Sequence, residues 1–383
     1  MRIGLGPGMP GPYIAAVCVV TALAQAPQVE NGTLPITWIT GGPNCMEVPD
    51  WQVHEYNPTF YILRESGCTN YEKPFLYLIL GKDRALLVDT GAGESTAAEA
   101  VGKLLAKRGK VPLVVAHSHG HGDHVAGDAA FQKMDGVTFV AANVEALQKA
   151  FGIAKWPEEM GSIDLGDRVV DVIPIPGHQA AHVAYYDRRT GILLTGDHLY
   201  PGRLYVTDFP AYVASTRRMV EFTATRPVAH ILGCHIEQSA TPFVDYPVGT
   251  KYQPNEHPLA LGRAQLLELL AGLEAMQGKP VRAFYRDFTI WPREPRPARN
   301  TLPTTWTYVE RTSTCPRQRQ PRRAISPQSG IEAKRVIEES TRQLSIQIEP
   351  PPTCAVTVPR NRNPRTRQPT ELGLEGALLT SSD

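Results

Sequence analysis

The stretch VPLVVAHSHGHGDHVAGD, residues 111–128, decides how the rest of the chain is read. Its first six residues are apolar and rich in β-branched side chains, the composition of a buried strand. The pattern then stops in four histidines, two glycines and an aspartate, which suit neither strand nor core. Within that end, His119-Gly120-His121-Gly122-Asp123-His124 reads His-x-His-x-Asp-His. Imidazole nitrogen and carboxylate oxygen are the ligands zinc takes in open, catalytic sites. The two glycines permit a tight loop, so that several ligating side chains can face one small volume. A strand delivering such a loop predicts a metal site at its end.

Outward from this stretch, strands and helices interleave. Upstream, residues 60–63 and 75–80 read as strands, and Lys82-Asp83 turns the second into a hairpin partner at 85–89. Asp89-Thr90-Gly91-Ala92-Gly93 breaks that strand, and 94–108 has the pattern of an amphipathic helix. Downstream, 123–133 predicts a helix, 137–141 a strand, and 143–151 a helix capped by Asn143. Residues 163–175 alternate like strands around a Gly166-Asp167 turn, and 183–186 with 192–195 form another hairpin. Helices follow at 211–225 and 258–276, with a strand at 228–232 between them. This order predicts an α/β sandwich, sheets inside and helices outside.

Length and charge set the frame. A chain of 383 residues, 42% hydrophobic and 20% charged, is ample for a large core. Its formal net charge of +1 gives no general reason to expect nucleic acid as a partner. The six cysteines form no CxxC pair, so any metal must be held by His and Asp. Residues 1–24 resemble an export signal: Arg2, an apolar stretch at 13–24, and Ala22-Leu23-Ala24 as a cleavage site. A periplasmic or secreted protein is therefore expected, or a cytoplasmic one if the segment is not a functional signal, with Cys45 and Cys68 either paired or both free thiols. No later stretch is apolar and long enough to span a membrane. The folded core is expected over 25–291. The remainder, 292–383, is Pro/Arg-rich with few aliphatic runs and predicts a solvated, disordered tail.

Four further positions stand at strand ends: Asp89; Pro176-Gly177-His178-Gln179-Ala180-Ala181-His182; Thr195-Gly196-Asp197-His198; and Gly233-Cys234-His235. Singly, each fits a turn former. Together, and in this order, they resemble the five motifs of the metallo-β-lactamase superfamily, over roughly 59–235. The resemblance implies a four-layer αββα sandwich with the metals at one edge of the two sheets. It implies that His119, His121 and His182 hold a first metal, that Asp123, His124 and His235 hold a second, and that Asp197 bridges them. Asp89 supports the metal loop by hydrogen bonding, and His178 and His198, beside ligands, are expected to do likewise.

Two zinc ions are the expected cofactors, iron or manganese also suiting His/Asp donors. Such a pair lowers the pKa of a shared water, so that hydroxide is available near neutral pH to attack a carbonyl. Asp123 is the expected catalytic group, orienting that nucleophile. An aspartate at position 197 resembles the thioesterase and lactonase branches, where true β-lactamases of the superfamily carry Cys or Ser. The reading is thus a hydrolase of an ester, thioester or lactone in a small-molecule substrate. A β-lactam amide hydrolase, an iron-dependent sulfur dioxygenase or other redox member, and a purely structural metal protein are the alternatives. Tyr200, Arg203, Tyr205, Glu237 and Tyr252 follow the fourth and fifth motifs and are the expected substrate contacts. His54, His117, His230 and His257 are read as structural or surface histidines, and Cys234 as a small packed residue.

Overall fold

The computed structural model of the protein describes residues 29–39, 48–93, 95–109 and 111–293. The signal-like segment 1–24, Cys45 and the tail from residue 294 lie outside the described residues. Cys68 is disulfide-bonded. No helix among the described residues is long and apolar enough to cross a membrane.

Six strands form a first sheet in sequence order: β1 (Trp51–Asn57), β2 (Phe60–Glu65), β3 (Phe75–Leu80), β4 (Ala85–Val88), β5 (Leu113–Ala116) and β6 (Val137–Phe139). The first four are antiparallel neighbours, and β4, β5 and β6 run parallel. Parallel neighbours need a crossover, and helix α1 (Ala98–Ala106) supplies the one between β4 and β5. Two short helical turns, α2 (Gly122–Val125) and α3 (Asp128–Phe131), lead from β5 toward β6, and α4 (Val144–Phe151) follows β6. The side chain of Asn143 caps α4 by accepting from the Ala146 N–H at 2.9 Å.

The second sheet contains β7 (Gly161–Asp164), β8 (Val169–Pro174), β9 (Val183–Asp187) and β10 (Ile192–Gly196). After β11 (Arg203–Val206) and α5 (Phe209–Phe222), it is completed by β12 (His230–Gly233) and β13 (Ala260–Leu261). The strand order is β13-β12-β10-β9-β8-β7. Helix α6 (Arg263–Ala275) precedes β14 (Ala283–Phe284) and β15 (Thr289–Pro292), and β11-β15-β14 make a small third sheet.

Strand β3 shows why the layers stack. All six of its side chains are buried, and they divide by parity, since alternate residues of a strand face opposite sides. Phe75, Tyr77 and Ile79 enter the core between the sheets, with Val172, Tyr185 and Leu194 of the second sheet. Leu76, Leu78 and Leu80 face outward onto Val101, Leu104 and Leu105 of α1. The other outer face repeats the arrangement: Ile173, Tyr186, Leu193 and Ile231 pack on Tyr212, Met219, Leu266 and Leu269 of α5 and α6. The result is the expected helix–sheet–sheet–helix sandwich.

Arg168, at the turn into β8, joins the layers. Its guanidinium pairs with both oxygens of Asp187 and donates to the carbonyls of Thr59 (2.8 Å) and Leu80 (3.1 Å) in the first sheet's hairpins. Elsewhere the sequence reading needs amendment. Residues 258–276 are not one helix: Ala260 and Leu261 first pair with Leu232 and Ile231, and α6 begins only after Gly262. The helix expected at 123–133 is two separate turns. Strands β1, β11, β14 and β15 were not anticipated, and β15 carries the fold one residue past the expected boundary at 291.

Candidate metal centre

Chain direction gathers the candidate residues. Asp89 follows β4, His119 follows β5, His178 follows β8, Asp197 follows β10 and His235 follows β12. Strands β4 and β5 are parallel, as are β10 and β12, and β8 points the same way as β10 because both are antiparallel to β9. All these side chains therefore emerge at strand exits on one edge. Main-chain bonds tie the sheets together there, from Val183 N–H to the Ser118 carbonyl (2.8 Å) and from Phe75 N–H to the Cys234 carbonyl (2.9 Å).

Three groups of donors result, each with its ligating atoms within 4.8 Å of one another: His119, His121, His178 and Asp197; Asp123, His124, Asp197 and His235; and a smaller buried trio of Asp89, His124 and Cys234. Asp197 belongs to the first two. Its Oδ2 lies 3.8 Å from His119 Nε2 and 3.5 Å from His178 Nε2. Its Oδ1 lies 3.5 Å from His124 Nε2 and 3.3 Å from His235 Nε2. Asp123 Oδ2 closes the second group, 3.2 Å from His124 Nε2 and 3.1 Å from His235 Nε2.

The far nitrogen of four imidazoles is fixed, which selects the nitrogen presented to the centre. His178 Nδ1 bonds the Tyr205 carbonyl (2.9 Å), His235 Nδ1 the Glu72 carbonyl (3.0 Å) and His124 Nδ1 the Asp89 carboxylate (3.0 Å). His119 Nδ1 meets Ser118 Oγ at 3.1 Å, and that hydroxyl in turn donates to Asp89. Asp89 also accepts from the Ser118 N–H (2.7 Å) and from the Cys234 thiol (3.2 Å). Its support of the metal loop is thus direct. Burial and the neighbouring Asp89 push the Cys234 thiol well above its usual pKa, so Cys234 is a packed donor.

His178, rather than His182, joins the donor group: His178 lies in the turn leaving β8, while His182 immediately precedes β9. The His182 ring is fully buried 4.7 Å from that of His119, and neither of its nitrogens has a hydrogen-bond partner. Gly196 leaves it room, since a Cβ there would fall 2.6 Å from His182 Nε2. His198 also stands back: its Nε2 bonds Thr216 Oγ1 at 2.8 Å and its ring stacks on Tyr212 of α5 at 3.9 Å.

Electrostatics match the donor set to cations. Burial disfavours the imidazolium at His119, His121 and His178, the last reaching about 4, so these rings offer lone pairs. At His124 and His235 burial acts the same way, but Asp123 and Asp197 override it and hold both rings protonated. Those two histidines hold Asp123 and Asp197 ionised in return, against their own burial. One divalent cation would supply the same positive charge without the two protons. His124 Nε2 and Asp197 Oδ1 are, moreover, buried without a hydrogen-bond partner. Nitrogen and oxygen donors a few ångströms apart fit zinc, and also iron or manganese.

A cavity of about 270 Å³ opens over the first two groups. Tyr200, Tyr205 and Glu237 line it, together with Glu72 and Arg293, which the sequence reading missed. Arg203 sits behind: it pairs with Glu237 at 2.8 Å and donates to Tyr205 Oη at 3.1 Å. The Tyr200 hydroxyl is spent on Glu237 (3.1 Å) and the Arg203 carbonyl, while its ring edges His235 at 5.6 Å. Tyr200, Arg203 and Glu237 therefore form a scaffold under His235. Tyr252 is 48% exposed and does not line this cavity.

Comparison with known proteins gives a family match and several relatives. A family model described as the Metallo-beta-lactamase superfamily matches residues 73–235. The chain is 29% identical over 139 residues to a hydroxyacylglutathione hydrolase of Chelativorans sp. (strain BNC1), covering 36% of this chain and 52% of that protein. It is 24% identical over 228 residues to the Acyl-coenzyme A thioesterase MBLAC2 of Gallus gallus, covering 50% of this chain and 82% of the relative. The chain spans about half the length of the hydroxyacylglutathione hydrolases it matches. A solved structure of a metallo-beta-lactamase from Pontibacter korlensis aligns with a TM-score of 0.42 at 18% identity, over 58% of this chain and 99% of that one.

Proposed function

Because this chain belongs to the metallo-β-lactamase superfamily, we propose that it is a dinuclear metal-dependent hydrolase acting on an ester, thioester or lactone. One observation carries the reading: two donor groups share a single carboxylate, Asp197, which turns one oxygen to each. Structural zinc sites are usually closed cages of four ligands, whereas a shared pair suits catalysis. The names of the relatives, a thioester hydrolase of acylated glutathione and one of acyl-coenzyme A, support a thioester within that class.

In this reading His119, His121 and His178 would hold one metal, Asp123, His124 and His235 the other, and Asp197 would contribute to both. When bound, the metals supply Lewis acidity and lower the pKa of water. The chain does the rest. Asp123 stays ionised between His124 and His235 and can accept a hydrogen bond from an attacking water, fixing its direction. Asp89 and the carbonyls of Glu72 and Tyr205 keep the imidazoles aimed, so little reorganisation is needed during the reaction. Tyr200 and Glu237 brace His235 from below.

The test is metal content per purified chain, paired with turnover of one lactone, one thioester and one β-lactam. Two zinc per chain with thioester or lactone cleavage is expected. β-Lactam cleavage alone would move the chain to the amide branch, and one iron with oxygen uptake and no hydrolysis would reject the reading.

A further inference from the structure

The cavity over the donor groups carries four carboxylates and one guanidinium. Asp123 and Asp197 are committed to the histidines, and Glu237 is matched by Arg203 at 2.8 Å. Glu72 takes a hydrogen bond from the Tyr71 hydroxyl. Arg293, the remaining charge, forms no ion pair among the described residues, and it is exposed.

It is nevertheless held in place. Its main-chain N–H bonds the Val206 carbonyl at 2.8 Å, extending the parallel ladder of β11 and β15 by one step. Its guanidinium lies over the Tyr205 ring, 5.5 Å from the centroid. Tyr205 is itself fixed: its hydroxyl accepts from Arg203, and its carbonyl holds His178. One residue thus sets both a candidate metal ligand and the cation, the first through its backbone and the second through its ring. An arginine held over an aromatic face at that distance keeps its planar fork free for an anion with two oxygens.

We propose that Arg293 is a specificity-determining residue that receives a carboxylate or phosphate of the substrate's leaving group while the scissile carbonyl sits over the donor groups. The proposal rests on the hydrolase reading above and narrows it to anionic substrates. Carboxylates and phosphates share the geometry that a guanidinium recognises, and the carriers used in the test separate them.

The experiment uses the full chain loaded with zinc, as wild type, Arg293→Gln, Arg293→Lys and, as a control, Arg282→Gln. Arg282 stacks on Trp291 and lies outside the cavity lining. Acetyl thioesters are compared on three carriers: neutral N-acetylcysteamine, glutathione with its carboxylates, and coenzyme A with its phosphates. The ratio of kcat/KM for an anionic carrier to that for the neutral one should fall about tenfold in Arg293→Gln, as expected for losing one charge-assisted bond. The loss should lie in KM, recover partly in Arg293→Lys and be absent in Arg282→Gln. The wild-type advantage should shrink between about 50 and 500 mM salt, as screening requires. The carrier that responds identifies the anion. An unchanged ratio in Arg293→Gln overturns the proposal and leaves hydrolysis standing. Calorimetric binding of S-hexylglutathione and of a coenzyme A thioether, neither of which can be hydrolysed, provides the second readout. Binding weakened in Arg293→Gln without cleavage of any thioester would keep the anion site and reject the thioester reading.

Discussion

His178 Nε2 lies 3.0 Å from His121 Nδ1, although the two histidines leave different sheets. His121 comes from the loop after β5 and His178 from the turn after β8, so their meeting depends on how the sheets are stacked. Four residues on, His182 shares the burial but not the role.

Substitution separates these two histidines. His178→Ala should lose one metal per chain after dialysis, as measured by mass spectrometry of the metals. His182→Leu should keep the full complement, because an unpartnered buried imidazole is replaced by an apolar group of similar size. The reverse pattern would restore His182 as the ligand.

The carboxylate of Asp89 offers a second test. Asp89→Asn replaces an acceptor with an amide that cannot satisfy the Ser118 N–H, the Ser118 hydroxyl, His124 and Cys234 together. Affinity at the second group should fall about 10–100-fold while the circular dichroism of the sheets persists. Chelator competition measures it, and an unaltered affinity would show that His124 needs no such partner.

How far the sequence reached can be judged at these same residues. His119, His121, Asp123 and His124 are legible because they are contiguous, and Asn143 because a cap is a local device. The choice between His178 and His182 is not local. It depends on which histidine lies in the turn leaving β8 and which lies just ahead of β9, and on how that turn is placed against the first sheet. Glu72 and Arg293 reach the cavity only through tertiary pairing, Arg293 by way of the parallel ladder between β11 and β15. The edge strand β1, Trp-Gln-Val-His-Glu-Tyr-Asn, is half exposed and carries too little apolar patterning to be read. The inner strands, buried on both faces, announce themselves.

A third prediction concerns pH. Lys73 is buried, donating to the carbonyls of Tyr71 (3.1 Å) and Thr250 (2.8 Å). Burial, with Arg64 nearby, lowers its ammonium from 10.5 to about 8, against the pull of Glu256, Glu237 and Glu72. Between about pH 8 and 10 the unfolded chain holds this proton more tightly than the native one, so stability should rise with pH there. Below pH 8 both states bind the proton and the penalty, about 3 kcal/mol, is constant. Urea unfolding at pH 8, 9 and 10 reads the slope, which Lys73→Met should remove. A slope that survives the substitution would assign it to another group.

Arg168 yields a fourth. Arg168→Met leaves the buried Asp187 without its cation and should cost about 3–5 kcal/mol, seen as a lower urea midpoint. Adding Asp187→Leu should recover most of that loss, since no uncompensated charge then remains. No recovery in the double variant would locate the cost in lost hydrogen bonds instead, those of Arg168 to Thr59 and Leu80 and those Asp187 accepts from Arg189 and Thr190.

The two larger donor groups also divide between the sheets. His119, His121, Asp123 and His124 come from the first sheet, and His178, Asp197 and His235 from the second. Neither sheet alone supplies more than two donors to either group. A half-open chain would therefore grip a cation weakly, and a captured cation would draw the halves shut, adding about 2.7 kcal/mol when free metal stands at a hundred times its dissociation constant. With such a coupling, the supply of metal around the protein would set how long the chain survives proteases.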